Sequence, residues 1–167
     1  GDYAYPCHVE SLAEMTAAGG NAFNVPTPHS MELADTFVPI KSILQVLGER
    51  LDPAVKIRYA QGCGIIDPSE ADFGAAITAV RSAEVAIVVV GDRAGLTAPC
   101  TTGEARDRAE LGLPGVQQQL IEALQATGTP LVVVLINGRP AAIPWIAEHV
   151  PAIVEAWLPS EEGADAV

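Results

Sequence analysis

Two unbroken apolar runs dominate the pattern of hydrophobic and polar positions, at residues 85–90 and Leu131–Ile136. Each run is too short for a helix and is rich in β-branched residues, so each predicts a strand buried on both faces, as inside a parallel sheet. Ala152–Trp157 predicts a further strand near the end of the chain. Residues 56–59 predict a short strand ahead of the others.

Between these strands, apolar residues recur three or four positions apart, which is the pattern of helices with one buried face. A first helix is predicted over residues 36–51, with Ile40, Ile43, Leu44 and Leu47 on its buried face. It should start near Val38 because Pro39 is tolerated only in a first turn. A second should start at Ser69, which suits an N-cap, and should bury Phe73, Ile77 and Val80. Further helices are predicted over residues 114–126, 144–149 and 161–167.

Strand and helix therefore alternate along most of the chain. Alternation of this kind predicts an α/β fold, a three-layer α/β/α sandwich with a mainly parallel sheet and flavodoxin-like or Rossmann-like topology. The length of 167 residues suits a single domain. Residues 1–35 show neither period and predict an irregular segment with one short helix over 9–15, which is unusual for a complete domain.

Charge and cysteine content narrow the function classes. The net charge of −12 argues against binding to nucleic acid or to anionic membranes. Cys7, Cys63 and Cys100 are too few and too scattered for a disulfide framework or a structural zinc site, so free thiols and a reducing cytoplasm are expected. The three histidines share no metal-ligand spacing, and no phosphate-binding glycine motif is present. No metal and no cofactor is therefore predicted.

The segment 91–113 connects the strand at 85–90 to the next helix and is far longer than the ~2–6 residues usual for such a connection. It carries a dense share of the charge, and it begins at the carboxyl end of a strand, where sites collect in open α/β sheets. It is the strongest site candidate. Its length and charge also predict high mobility from about residue 94 to 108, with fast hydrogen exchange.

Several motifs, in order, resemble the second domain of glycoside hydrolase family 3, which includes β-glucosidases and β-xylosidases. They are GDY at residues 1–3, TGEARDR at 102–108, LPGVQ at 113–117, LINGRP at 135–140, and EAWLP at 155–159 with EEG at 161–163. The resemblance implies a carbohydrate substrate and a catalytic barrel domain outside these residues, so that 1–167 would be a truncated domain. It also implies that the family's first strand is missing here.

Within the charged loop, the resemblance places Glu104 at the acid/base position of a retaining β-glycosidase. Asp92 and Arg93, at the carboxyl end of the strand, are candidates either for binding the substrate or for capping the loop. Arg106 is a further candidate for binding the substrate, although Arg106, Asp107 and Arg108 fit an ion-paired support of the loop better than a substrate clamp. Trp157 could stack on a sugar ring, but a tryptophan at the end of a strand is more often part of the core.

Two functions are compatible with these features. One is the acid/base-bearing domain of a β-glycosidase that hydrolyses terminal β-linked glucose or xylose; the isolated chain would then be inactive. The alternative is a non-catalytic α/β module that binds a small ligand or a protein. With a strand missing, an unpaired sheet edge would also invite self-association.

Overall fold

The computed structural model describes residues 41–95, 98–160 and 162–167. Within them, helices and strands alternate as predicted only from α2 onward, because α1 and α2 follow one another without a strand between them; the bounds are as follows: α1 Ile43–Arg50, α2 Phe73–Arg81, β1 Ala86–Gly91, α3 Gln117–Gln125, β2 Leu131–Ile136, α4 Pro144–His149, β3 Ala152–Trp157 and α5 Gly163–Ala166. The predicted helix at 9–15 and the first part of the predicted helix at 36–51 lie outside the described residues.

The three strands form one parallel sheet in the order β1-β2-β3. Ala86 pairs with Leu131 and Gly91 with Ile136, so β1 and β2 run in register along their whole lengths. Between β2 and β3 the register shifts at Leu135/Ile136, which brings Ile136 opposite Trp157. The α/β sandwich with a parallel sheet is confirmed, and β2, α4 and β3 have the bounds that the sequence predicts.

The hydrophobic core lies on one face of the sheet, against α2, α3 and α4. Leu131 and Val133 of β2, Ile121 of α3 and Ile146 of α4 have no solvent-exposed surface at all. In β1 the buried Val88 and Val90 belong to this core. These contacts hold the strands in a fixed alignment, so that the strand ends form the edge at which the candidate site lies.

The prediction that the first apolar run is buried on both faces is wrong. Val85, Ile87 and Val89 are 52%, 44% and 46% exposed. They line a groove of about 410 Å³, whose opposite walls are α1 and the segment 55–61. Because side chains alternate along a strand, only the Val88 side of β1 reaches the core.

The predicted strand at 56–59 is also absent, since these residues are in no helix, strand or bridge. A strand requires a neighbour with which to exchange backbone hydrogen bonds. The groove separates this segment from β1, the nearest candidate for such a neighbour. Its apolar side chains consequently remain open to solvent, with Ile57 42% and Tyr59 71% exposed.

Four helices (α1, α2, α3 and α5) begin later than predicted, and local hydrogen bonds explain the starts of α1 and α2. Ser42 accepts the backbone N–H of Gln45 at 3.2 Å while the Gln45 side chain accepts the N–H of Ser42 at 2.7 Å, a reciprocal cap that starts α1 at Ile43. Before α2, the Ser69 hydroxyl instead accepts the N–H of Ala71 at 3.2 Å within a turn. The helix then starts after Asp72.

Gly115 explains the late start of α3. Its φ of 60° is left-handed, so the chain at Pro114 cannot yet be helical. A Cβ at Gly115 would also lie 2.7 Å from the carbonyl oxygen of Ile65. At the other end, Gly128 has a φ of 81°, as expected of a glycine that follows a helix.

The buried faces of the first two helices also differ from the predicted stripes. Val46 is the buried residue of α1, whereas Leu44 is 40% exposed and lines the groove. In α2, Phe73 and Val80 are buried as predicted, but Ala76 takes the place predicted for Ile77. None of the helices in the described residues is long and apolar enough to cross a membrane.

Candidate functional site

The candidate site lies where the three strands end. Asp92 follows β1, Asn137 follows β2 and Trp157 is the last residue of β3. Because the strands are parallel, these ends meet at one edge of the sheet. The charged loop begins at this edge, directly after β1, as the sequence predicts.

The start of the loop is fixed by Gln117, the first residue of α3, which is 3% exposed. Its side-chain oxygen accepts the backbone N–H of Gly91 at 2.7 Å, and its amide nitrogen donates to the carbonyls of Gly91, Pro114 and Ile65 at 2.9, 3.1 and 3.1 Å. Gly91 itself leaves no room for a side chain, since a Cβ would lie 1.9 Å from the Ile136 carbonyl oxygen. Sequence reasoning missed Gln117; its place in the LPGVQ motif was the available signal.

Asp92, predicted to bind substrate, is turned toward the loop. Its carboxylate accepts the hydroxyl of Thr101 at 2.7 Å, and the guanidinium of Arg108 stands 4.0 Å away. The Thr101 hydroxyl in turn accepts the backbone N–H of Arg93 at 3.0 Å. With its side chain only 6% exposed, Asp92 holds the loop together and has little surface left for a ligand.

A second connection runs from the turn after β2. Arg139 donates from a single guanidinium nitrogen, Nη2, to the backbone carbonyls of Thr101 at 2.6 Å and Arg106 at 2.8 Å. The Asn137 side-chain amide donates to the Arg139 carbonyl at 2.8 Å, which stabilises the turn. The segment 101–106 is therefore tied to the sheet at both of its ends.

Glu104 lies between these two ties and is exposed. Its neighbours have unusual backbone angles, with φ of 130° at Gly103 and 57° at Ala105, and the N–H of Arg106 donates to the Gly103 carbonyl at 3.1 Å. The result is a tight turn that presents the Glu104 carboxylate to solvent. Arg93 and Arg106 are half-buried on the same loop.

Trp157 is 49% exposed and has a φ of 53°, so it is not a core residue. A positive φ is a genuine outlier for a bulky side chain. Here two hydrogen bonds hold it: its N–H donates to the Glu155 carboxylate at 3.2 Å, and its carbonyl accepts the N–H of Asn137 at 3.0 Å. The ring therefore borders the same sheet edge as the loop.

Two further observations concern ligands. Across the described part of the chain, no group of three His, Cys, Asp or Glu side chains is placed to hold a metal ion. The side-chain oxygen of Asn137 is buried without a hydrogen-bond partner among the described residues.

Residues 3–167 match the family described as the glycosyl hydrolase family 3 C-terminal domain. A β-xylosidase of Formosa agariphila is 44% identical over 126 residues, and a periplasmic β-glucosidase of Salmonella typhimurium is 33% identical over 146 residues. Each alignment covers 75% of this chain but only 17% and 18% of the respective relatives, so the chain corresponds to a small part of their length.

Solved structures give the same assignment. An exo-β-xylosidase, XlnD, in complex with a xylobiose aziridine probe superposes with a TM-score of 0.64 at 27% identity, covering 76% of this chain and 16% of that one. A β-glucosidase from Listeria innocua in complex with glucose gives a TM-score of 0.53 at 32% identity, covering 61% and 14%. The sequence match, the parallel sheet and the motif-bearing loop agree: the chain belongs to the family of glycosyl hydrolase family 3 C-terminal domains.

Proposed function

We propose that this domain supplies Glu104 as the general acid/base of a retaining β-glycosidase that removes terminal β-linked glucose or xylose. The observation that supports this best is the exposed carboxylate at the tip of a turn whose two ends are tied to the sheet. A general acid must reach the leaving-group oxygen in a defined geometry. Family membership supports the reaction class, since the relatives above are named β-xylosidase and β-glucosidase.

A retaining mechanism needs a second carboxylate, about 5–5.5 Å from the acid/base, to attack the anomeric carbon. We assign that nucleophile to a barrel domain outside these residues, because a (β/α)₈ barrel takes about 250 residues. Glu104 would protonate the departing oxygen in the first step. It would then accept a proton from the water that releases the sugar from the nucleophile.

The other candidates divide by exposure. The Asp92 carboxylate accepts a hydrogen bond from the Thr101 hydroxyl, so its contribution is to stabilise the conformation of the loop. Arg93 and Arg106, which are half-buried on the same loop as Glu104, remain our candidates for hydrogen bonds to sugar hydroxyls. A planar guanidinium carries five donors, a suitable set for adjacent hydroxyl groups.

The test is Glu104→Gln in the full-length enzyme that contains this domain, with Glu110→Gln, a second exposed carboxylate of the same loop, as the matched control. Hydrolysis of an unactivated disaccharide should fall by about 10²–10⁴-fold, the usual contribution of general acid catalysis. A dinitrophenyl glycoside should lose little in kcat/KM, because its leaving group needs no proton, and azide should restore part of its kcat.

A Glu104→Gln enzyme that cleaves the disaccharide at near the unmodified rate would place the acid/base elsewhere. The isolated 167-residue chain, which lacks a nucleophile, should not hydrolyse nitrophenyl β-glucoside or β-xyloside above background. Turnover by the isolated chain would contradict the division of carboxylates between two domains. Binding of a protein or small ligand without any loop-dependent activity in the full-length protein would favour the non-catalytic module.

We also propose that the isolated chain self-associates through β1. On the side away from β2, this strand has no partner among the described residues, and its side chains at Val85, Ile87 and Val89 are about half exposed. Unpaired strand edges beside apolar surface promote pairing between chains. Sedimentation velocity across a hundredfold range of concentration should reveal dimers or larger species, and a monomer throughout would refute this.

A reducing, cytoplasmic location is a further proposal, supported by Cys63 and Cys100, neither of which forms a disulfide. Fractionation of the source cells, with an antibody against this domain, would test it. Recovery of the protein outside the cytoplasm would refute it.

A further inference from the structure

We propose that Arg139 is a positioning residue that sets the approach of Glu104 to the glycosidic oxygen; this inference rests on the proposed function. A single nitrogen of Arg139 bonds to the carbonyls of Thr101 and Arg106, at 2.6 and 2.8 Å. These carbonyls flank Glu104 by three residues on one side and two on the other. One guanidinium therefore closes the base of the turn that carries the proposed acid.

Each side of this turn also makes a backbone hydrogen bond of its own. On the Thr101 side, the backbone N–H donates to the Arg93 carbonyl at 2.8 Å and the hydroxyl donates to Asp92 at 2.7 Å. On the Arg106 side, the backbone N–H donates to the Gly103 carbonyl within the turn. The bond from Arg139 to the Arg106 carbonyl connects this side of the turn to the end of β2, so its loss should loosen the turn that carries Glu104.

Arg139 is itself held firmly. Its carbonyl accepts the Asn137 amide at 2.8 Å, and the Asn137 N–H donates to the carbonyl of Trp157 at 3.0 Å, which anchors the turn to β3. Next to it, Gly138 packs so closely that a Cβ would lie 2.5 Å from the Thr102 hydroxyl. The turn after β2 is therefore a fixed base from which a charged donor can hold the loop.

Charge and shape both favour arginine for this task. A hydrogen bond from a charged donor is roughly twice as strong as a neutral one, and a guanidinium keeps its donors in a rigid plane. A displacement of the acid by about 1 Å can cost about 100-fold in rate. The residue need not touch substrate to have this effect.

The experiment is Arg139→Ala in the full-length enzyme, with kcat/KM measured for an unactivated disaccharide and for a dinitrophenyl glycoside. We expect a loss of at least about 30-fold for the disaccharide and less than about threefold for the activated substrate, since only the first requires protonation. Guanidinium chloride at millimolar concentration should restore part of the disaccharide activity. Arg81→Ala, at an exposed arginine of α2, is the matched control and should change neither value.

A double-mutant cycle separates this inference from the proposed function. If Arg139 acts through Glu104, adding Arg139→Ala to Glu104→Gln should cause little further loss with the disaccharide. Full additivity, or an equal loss for both substrates, would show a merely structural role and overturn the inference while leaving Glu104 as the acid. A Glu104→Gln enzyme without leaving-group dependence would overturn the proposed function and this inference together.

Arg139→Lys covers the case in which the alanine variant does not fold. Lysine keeps the charge but not the planar donor set, so we expect a smaller loss that still falls selectively on the disaccharide. A folded lysine variant with equal losses for both substrates would also overturn the inference.

Discussion

Gln117→Leu should destabilise the chain strongly, because Gln117 is the buried link between α3 and the end of β1. The substitution preserves size and removes four hydrogen bonds, one accepted from the Gly91 N–H and three donated to carbonyls of Gly91, Pro114 and Ile65. Gly91 and Pro114 are buried, so water cannot readily replace the lost partner of the Gly91 N–H or of the Gly91 and Pro114 carbonyls. The Ile65 carbonyl is less enclosed and is expected to find solvent.

The magnitude follows from the groups that are left unpaired. A buried donor or acceptor without a partner costs about 1–3 kcal/mol. With three such groups, two at Gly91 and one at Pro114, and a small gain from the added apolar surface, we expect a loss of at least about 3 kcal/mol in the free energy of unfolding. That is a large share of the ~5–15 kcal/mol that stabilises a typical domain.

Urea unfolding followed by circular dichroism would measure this loss, with an unchanged slope as evidence that the transition remains comparable. Gln118→Leu is the matched control. Gln118 is the next residue of the same helix and bonds only to Glu122, at 2.9 Å, so its replacement should cost less than about 0.5 kcal/mol. Equal effects of the two substitutions would refute the role of the Gln117 network.

Gln117→Glu tests the direction in which stability should change with pH. The new carboxylate would keep the Gly91 N–H as a donor but would face three carbonyl oxygens at 2.9–3.1 Å, where the original amide donates. Burial and these dipoles should raise its pKa above the ~4.3 of a free glutamate. A raised folded pKa means that stability is retained below pH ~4.3 and lost as pH rises. The deficit relative to the natural chain should therefore shrink from pH 7 toward pH 4, and a pH-independent deficit would contradict the geometry.

Four further outcomes are expected. Val89→Lys, which places a charge on the exposed side of β1, should abolish the self-association proposed above, as sedimentation would show. Burial, reinforced by the nearby Asp67, raises the pKa of the Cys63 thiol above 9.0. The free energy of unfolding should therefore fall as pH rises above about 9, and Cys63→Ala should reduce this fall in urea titrations at pH 8 and 10. Ser42→Ala, which removes the cap of α1, should cost about 1 kcal/mol. Hydrogen exchange should be fast at the N–H of Glu104 but slow at that of Thr101, which donates to a backbone carbonyl at 2.8 Å; uniform exchange would argue against the ties.

The sequence predicted the sheet well because apolar runs report burial directly. Leu131–Ile136 is the central strand, with neighbours on both sides and a helical layer over it, so pattern and environment agree. The run at 85–90 has the same composition, but its strand has a neighbour on one side only among the described residues. The apolar pattern of a strand shows which side chains could be buried, but it does not show whether another strand or helix lies against them. This explains the unexpected exposure of Ile87 and Val89.

Helix starts were less predictable because they depend on competing local bonds. Ser69 had the composition of a cap, yet its hydroxyl stabilises a turn. Ser42, which lies inside the predicted helix 36–51, forms the reciprocal cap with Gln45. Both serines have a polar partner three residues on or close by, and only the backbone conformation decides which bond forms.

In the candidate site, the sequence located the loop but not its supports. Asp92, Arg93, Glu104 and Arg106 were recognisable because they are charged residues near a strand end or within a family motif. Gln117 and Arg139 contribute through contacts made across 26 and 38 positions of sequence. The sequence near Gln117 or Arg139 does not indicate which distant residue each one will contact, although both residues lie within the motifs that resemble the family.

These supports also modify the simple expectation of a mobile loop. Thr101 and Thr102 are each 5% exposed, while Glu104 and Ala105 are exposed. If Glu104 has the function proposed above, firm ends with an open tip would meet two requirements of an acid/base that serves both steps of a retaining reaction. The carboxylate must return to the same position to deliver a proton and later to accept one, and the leaving group must depart between those events. A mobile tip on fixed ends would satisfy both requirements. In a wholly mobile loop the carboxylate would not return to one position, and a wholly packed loop would prevent the leaving group from departing.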